Sequence, residues 1–304
     1  MMHLVTIERP RWRMGGKSSA SLAALATEAL IAEVELTPKP GLVDRRGSGA
    51  HTDLSLDLMR RSAESLEPSF QLMADISKQL PHGQTLREQL GRIGRNAEHA
   101  MYMATGGANT HKGAIWILGL LVAAAAHTGQ VEAFDLANVA GSIARLPDRA
   151  APELITHGSI VQSRYGVTGA RGEADTDFPH VINVGLPVLR ASRAEGRAEP
   201  ACRLCALLAI MAELDDTCVL YRSGVEGAQL VKSGASAVLG AGGPETVAGD
   251  AALHQFDQDL LARRISPGGS ADLLAATIFL DCLENGRQAA EERGQSWEGA
   301  HGTN

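Results

Sequence analysis

Aromatic side chains make up only 4% of the 304 residues, and alternating runs of Val, Ile and Thr are scarce. Sheets draw on those residue types, so their shortage excludes a sheet-dominated fold and leaves helices rich in Ala and Leu. Cysteines are few: Cys202, Cys205, Cys218 and Cys282 are too sparse for a disulfide framework. Long hydrophobic runs are missing as well. The most apolar stretch, Ala114 to Ala126, falls well short of the ~20 residues that cross a bilayer, and reads as a buried core helix. Positive charge is not in excess either. The net charge of -7 argues against a general nucleic-acid or anionic-membrane surface, while leaving room for a local basic pocket. With no secretory leader visible in the first residues, a cytoplasmic protein with neither nucleic acid nor membrane as partner is expected.

What is present is ordinary for a globular chain, with 44% hydrophobic and 21% charged residues and enough length for a self-sufficient core. Leu22, Leu25, Ala29, Ala32 and Leu36 recur at helical spacing after a Ser18-Ser19 cap, and Pro38 and Pro40 stop that helix. Further helices are expected over 53–66, 68–80, 84–104, 112–128, 132–145, 153–164, 181–193, 199–214, 224–239, 245–264 and 270–290. No internal repeat suggests a solenoid, and no composition shift divides the chain. The expectation is one all-α, multi-helix domain over 18–290, with flexible termini over 1–17 and 291–304 and the site in loops between helices.

Five polar, Gly-rich clusters fall in the joins between helices. The first runs from Thr37 to Arg46 and on through Gly49 to Asp53: Lys39, Arg45 and Arg46 suit phosphate oxygens, while Asp44, His51 and Asp53 suit a metal or a proton. A stiff Pro-Gly turn with solvated charges is the plainer reading. The second, Gly106 to Gly113, places Asn109, His111 and Lys112 at a helix start where backbone amides receive an anion or simply meet a cap. It lacks the Gly-Lys-Ser/Thr ending of a Walker loop. The third holds Thr156-His157-Gly158 and then Tyr165 to Ala174, with Arg171 and Glu173 free to pair on the surface or to serve a ligand. In the fourth, Asp215 and Asp216 precede Cys218 and Arg222; neighbouring carboxylates point ~100° apart on a helix, so one faces a metal and the other solvent. The fifth, Ser266 to Leu273, joins Gly268 and Gly269 to Ser270 and Asp272, which a plain helix start also explains.

Other signals carry less weight. Cys202 and Cys205 sit at helical spacing in an apolar segment without a second pair, as buried thiols do. His127, His180 and His254 are isolated, and no Gly-x-Ser-x-Gly elbow is present.

In order along the chain, TPKPGLVDR, GAHTDL, NTHKGAIW, YGVTGARGEA, DTCVLYRSG and SPGGSADLLA resemble the triphosphoribosyl-dephospho-coenzyme A synthase family from about Ser19 to Leu283. Thr52-Asp53-Leu54 after His51, together with DTCVLYR, is similar to the malonate decarboxylase branch, while Arg171-Gly172-Glu173 is similar to the citrate lyase branch. Ala108 stands where the family usually has Val. The resemblance implies an all-α transferase in which the 2'-hydroxyl of 3'-dephospho-coenzyme A attacks C1' of ATP and adenine leaves. The product is the precursor of the prosthetic group of an acyl-carrier protein, attached by a separate transferase.

Such a reaction needs proton acceptors and donors, phosphate clamps, and Mg²⁺ on oxygen ligands. The expected sets are His51, Asp53, His111 and Glu173 for proton transfer or ribose contact. Lys39, Arg45, Asn109, Lys112, Arg171, Arg222, Gly268, Gly269 and Ser270 are expected to bind the nucleotide, and Asp44, Asp216 and Asp272 the metal. A homodimer is one option for the assembly. Two other readings are an all-α Mg²⁺-dependent nucleotide or ADP-ribose hydrolase and a non-catalytic helical partner of the decarboxylase.

Overall fold

The structure, a computed structural model, describes residues 18–152 and 156–298. The Ser18 hydroxyl accepts from the Ser21 amide and opens α1 (Ser19–Glu35). There follow α2 (Leu56–Gln79), α3 (Gln84–Thr105), α4 (Lys112–Thr128), α5 (Ala133–Ala144), α6 (His157–Tyr165) and α7 (Gly169–Asp175). A π-helical turn (Val181–Gly185) leads into α8 (Leu186–Ala194), then α9 (Glu199–Glu213), α10 (Thr217–Gly240), α11 (Val247–Arg263) and α12 (Gly268–Glu298). No strand occurs among the described residues, so the expected all-α class holds.

Two apolar helices organise the rest. Every residue of α4 from Ile117 to Ala126 is buried, and α12 is buried from Leu273 to Leu280. Each large side chain removed from water there contributes ~1.5–3 kcal/mol, which is why these helices lie at the centre. Helices α1, α2, α3, α5, α7 and α12 all pack on α4, and α1, α9 and α10 also touch α12. Among the described residues no single helix is long and apolar enough to cross a membrane; α4 and α5 pass a length and hydropathy test only together, across a bend of 108°.

The structure revises several boundaries. Helix α2 runs unbroken through Pro68, where two helices were expected over 53–66 and 68–80. Proline removes one hydrogen bond and disfavours the preceding turn, but Leu66, Phe70 and Met73 form one buried stripe across it, and their burial offsets that loss. Helix α10 starts at Thr217, earlier than the expected 224, because Asp216 caps it; Gly224 (φ 63°, ψ -162°) breaks it partway. The short α7 was not expected. The first residues of the segment 153–164 and the tails 1–17 and 299–304 lie outside the described residues, while α12 runs past its expected end at 290.

This packing brings the starts of α4, α10 and α12 together against the end of α1 and the loop 36–55. Gly41 fits this junction only without a side chain. Its φ is +68°, and a Cβ would stand 2.5 Å from the Ile265 carbonyl oxygen.

Candidate functional site

Within the loop 36–55 most charges hold the loop itself. Asp44 accepts from the amides of Lys39 (2.8 Å) and Arg46 (2.7 Å), and Arg46 reaches across to Asp257 of α11 at 2.7 Å. The Lys39 ammonium is buried and donates to the Glu33 carbonyl at 2.7 Å and to Glu33 Oε1 at 2.5 Å. Arg45 pairs at the surface with Glu35 at 2.6 Å. Lys39 and Arg45, expected on phosphate, and Asp44, expected on metal, are therefore taken up by protein partners.

Glu33 escaped the sequence reading, although a signal was there. It sits four residues after Ala29 on the apolar stripe of α1, where a carboxylate has no business unless a buried partner meets it. Burial pushes its pKa up, against the opposing charge of Lys39.

At the start of α4, His111 is buried, its Nδ1 2.8 Å from Ser62 Oγ, which in turn lies 2.5 Å from Thr110 Oγ1. Its Nε2 is buried without a partner. Burial, followed by the nearby Lys39 charge, depresses the imidazole to about 3, so it is neutral at ordinary pH. Asn109 Oδ1 accepts from the Lys112 amide at 3.4 Å, and the Lys112 ammonium pairs with Glu98 at 2.8 Å.

Asp272, in the first turn of α12, lies so close to α4 that a Cβ on Gly113 would come within 2.1 Å of its Oδ2. The Ala114 amide donates to it. Burial raises its pKa well above the usual carboxylate range, with Glu33 and Asp216 adding to the rise. Asp216 is the N-cap of α10: Oδ1 accepts from the Cys218 amide at 2.9 Å, and Oδ2 from the Ser270 amide (2.8 Å) and hydroxyl (3.1 Å). Burial raises its pKa too, against those hydrogen bonds. A side chain on Gly269 would meet the Asp216 carboxyl at 2.9 Å, and one on Gly268 would meet Cys218 Sγ at 3.4 Å. Asp216, Asp272, Gly268, Gly269 and Ser270 thus form one cluster, which joins the fourth and fifth clusters of the sequence. Cys218, from the fourth sequence cluster, joins it and is exposed, so this recess at the helix starts opens to solvent. Desolvation, then Asp216 and Asp272, push that thiol up and keep it protonated.

One turn along α10, Arg222 joins His51, Asp53, Ser223, Arg263 and Arg264 around a depression of about 320 Å³. His51 Nε2 is 2.8 Å from Ser266 Oγ, and its Nδ1 is 3.7 Å from Asp53. Burial and then the Arg222 charge lower the His51 pKa. The order Ser, His, Asp is that of a hydrolytic triad, but Ser266 is buried and Asp53 is exposed at a loose distance, so no accessible nucleophile is built. Arg263 and Arg264 were missed; their only signal was two adjacent arginines just before the fifth cluster.

Glu173 and Arg171 lie on α7, where Glu173 is taken up by another partner. Both Glu173 oxygens serve His180, at its amide and its Nδ1, each 2.8 Å away, and this contact raises the His180 pKa. Arg171 lies within electrostatic reach of Arg87, which sits over the Trp116 ring at 4.8 Å. Cys202 and Cys205 are buried free thiols, as read.

A family model described as ATP:dephospho-CoA triphosphoribosyl transferase matches residues 19–291. A Klebsiella pneumoniae protein named 2-(5''-triphosphoribosyl)-3'-dephosphocoenzyme-A synthase is 52% identical over 261 residues, covering 86% of this chain and 93% of its own. A Pseudomonas fluorescens protein named "Probable 2-(5''-triphosphoribosyl)-3'-dephosphocoenzyme-A synthase" is 54% identical over 287 residues, covering 94% of this chain and 97% of its own. No solved structure matches the chain. The matched span begins at α1 and takes in every helix start that builds the recess, so the chain belongs to the ATP:dephospho-CoA triphosphoribosyl transferase family.

Proposed function

We propose that the recess at the starts of α4, α10 and α12 is the reaction centre, and that the arginine-lined depression beside it takes the phosphates. The chain is a transferase that moves the triphosphoribosyl group of ATP to dephospho-CoA. One juxtaposition carries the placement: Asp216 and Asp272 crowd Cys218 on α10, and Arg222, one turn further along, opens with Arg263 and Arg264 onto the depression, three arginines with no ion pair among the described residues.

In the reaction the 2'-hydroxyl oxygen of the acceptor bonds to C1' of ATP, and the bond from C1' to adenine breaks with its electron pair going to the base. The hydroxyl gives up one proton and adenine takes one up. Positive charge develops on the ribose, which neighbouring carboxyls stabilise. His51, neutral and at the wall of the depression, accepts the hydroxyl proton, with Asp53 and Ser266 holding its ring. His111 is held too acidic to exchange protons near neutrality, and instead orders Ser62 and Thr110 under the start of α4. Glu173 orients His180.

Mg²⁺ fits Asp216 and Asp272. The charge of Asp216 opposes ionisation of Asp272, an opposition that a cation would relieve. No group of three His, Cys, Asp or Glu converges among the described residues, and Mg²⁺ is commonly held by one or two carboxylates plus water and substrate phosphate. Asp44 is spoken for by its own loop. The ion would neutralise triphosphate charge.

We place the protein in the cytoplasm as a homodimer, a state that light scattering checks. Its product serves the acyl-carrier subunit of a malonate decarboxylase, a reading supported by the Thr52-Asp53-Leu54 and Asp216-to-Arg222 segments. The deciding experiment mixes the protein with ATP, Mg²⁺ and 3'-dephospho-coenzyme A under chromatography with mass detection. Free adenine that depends on the acceptor, with the acceptor heavier by a triphosphoribosyl unit, is expected. Release of ADP, AMP or phosphate with the acceptor unchanged overturns the reading.

A further inference from the structure

A cavity of about 530 Å³ lies outside the recess, between the end of α6 and one face of α10. The more buried part of its lining is apolar, from Tyr165, Val167, Leu220 and Ala228, and the exposed part is Val225 with the polar Gln229, Ser233 and Ser236. Lys232 and Asp215, paired at 2.6 Å, close one side. The His157 and Tyr221 rings stack at 3.8 Å and clasp α6 to α10 beside it.

The groove borders the start of α10, where the reaction centre begins. Asp215 at its edge adjoins Asp216, and Gly169 presses so closely on α10 that a Cβ would meet Thr217 at 2.8 Å. At the Gly224 break, Tyr165 Oη stands 3.5 Å from where a Cβ would be. Leu220 and Val225 face the groove, while Arg222 and Ser223 between them face the depression. From Val225 to Ser236 the helix rises about 17 Å at 1.5 Å per residue.

Resting on the transferase reading, we propose that this groove binds the pantetheine arm of the acceptor. The arm carries two amides and a dimethyl branch and ends in a thiol; extended, it is about as long as four residues, ~14 Å. An apolar floor with a few amide-bonding groups along the rim is the lining such a chain needs, and the length of the groove matches. The acceptor hydroxyl then meets the recess while the arm runs away from it along α10, on the face that carries Leu220 and Val225 rather than the one that carries Arg222 and Ser223.

The test uses 4'-phosphopantetheine, which carries the arm without the adenosine, and measures its binding by calorimetry or saturation-transfer NMR. Ser233→Trp and Val225→Trp put bulk into the groove from exposed positions. Each is expected to weaken 4'-phosphopantetheine binding at least tenfold and to raise the KM for dephospho-coenzyme A similarly, with ATP binding and the helical circular dichroism unchanged. Wild-type affinity for 4'-phosphopantetheine in both folded variants overturns the proposal, as does the absence of any binding to the wild type. Acceptor-dependent adenine release by the wild type is scored separately. If it occurs while the variants bind normally, the groove assignment fails alone; if it is absent while the tryptophans still block binding, the transferase reading fails alone.

Discussion

The loop between α1 and α2 and the paired starts of α10 and α12 are both dense in charge, yet they use it differently. In the loop, Lys39 is matched to Glu33, Arg45 to Glu35, and Asp44 to Arg46 and two backbone amides. At the helix starts, the charge of Asp216 opposes ionisation of Asp272, and Arg222, Arg263 and Arg264 open onto a depression without ion pairs among the described residues. Charge satisfied within the chain builds a scaffold, whereas charge left opposed or open is poised for a ligand.

The largest expected effect tests the scaffold side. Lys39→Met leaves Glu33 buried without its partner and should cost about 3–5 kcal/mol in urea unfolding. Intact stability with a raised KM for ATP would instead move Lys39 to the phosphates and collapse the contrast. On the other side, Asp272→Asn should lower kcat by about 10²–10³-fold, the usual loss when one preorganised electrostatic contact goes. Its melting temperature should hold, because a carboxyl whose pKa is already pushed up resembles the amide that replaces it. A smaller effect is expected from Arg263→Ala combined with Arg264→Gly: a KM for ATP raised about tenfold, ~1.4 kcal/mol, without loss of stability. Arg264 has a left-handed φ of 55° at the end of α11, which glycine adopts more easily, so stability and affinity should move apart.

The smallest effect sharpens the position of α7. Contact with Glu173 raises the His180 pKa above its ordinary 6.5, so the pair stabilises fully below that value and loses its contribution as pH rises through the raised one. Glu173→Gln should therefore cost about 1 kcal/mol at pH 6 and less at pH 9, read from thermal melts at both. An equal cost at both pH values would remove the charge from the explanation.

Much of the helical layout was legible because apolar residues of α1 and α3 recur at helical spacing and α4 is one long apolar run. Pro68 and Gly224 misled in opposite ways. A proline that should end a helix is overruled by the burial of Leu66 and Phe70 around it, and a glycine read as a helix start is a break inside one. In the site, the Gly268 to Asp272 turn and Asp216 were each legible as polar helix starts, but that they meet depends on the docking of α12 against α10. Lys39 and Asp44 were legible as important but not as internal partners, since pairing with Glu33 or with Arg46 and a backbone amide depends on how the loop closes. Arg263 and Arg264 carry no local motif at all; only the folding of α11 back onto α10 places them.

The recess joins Glu33 near one end of the described chain to His111, Asp216 and Asp272, the last near the other. Nothing short of the whole arrangement assembles it. Because contacts this far apart in sequence form late and slowly, regain of activity on refolding should lag behind recovery of helical signal. A nascent chain should stay inert until α12 has emerged and docked.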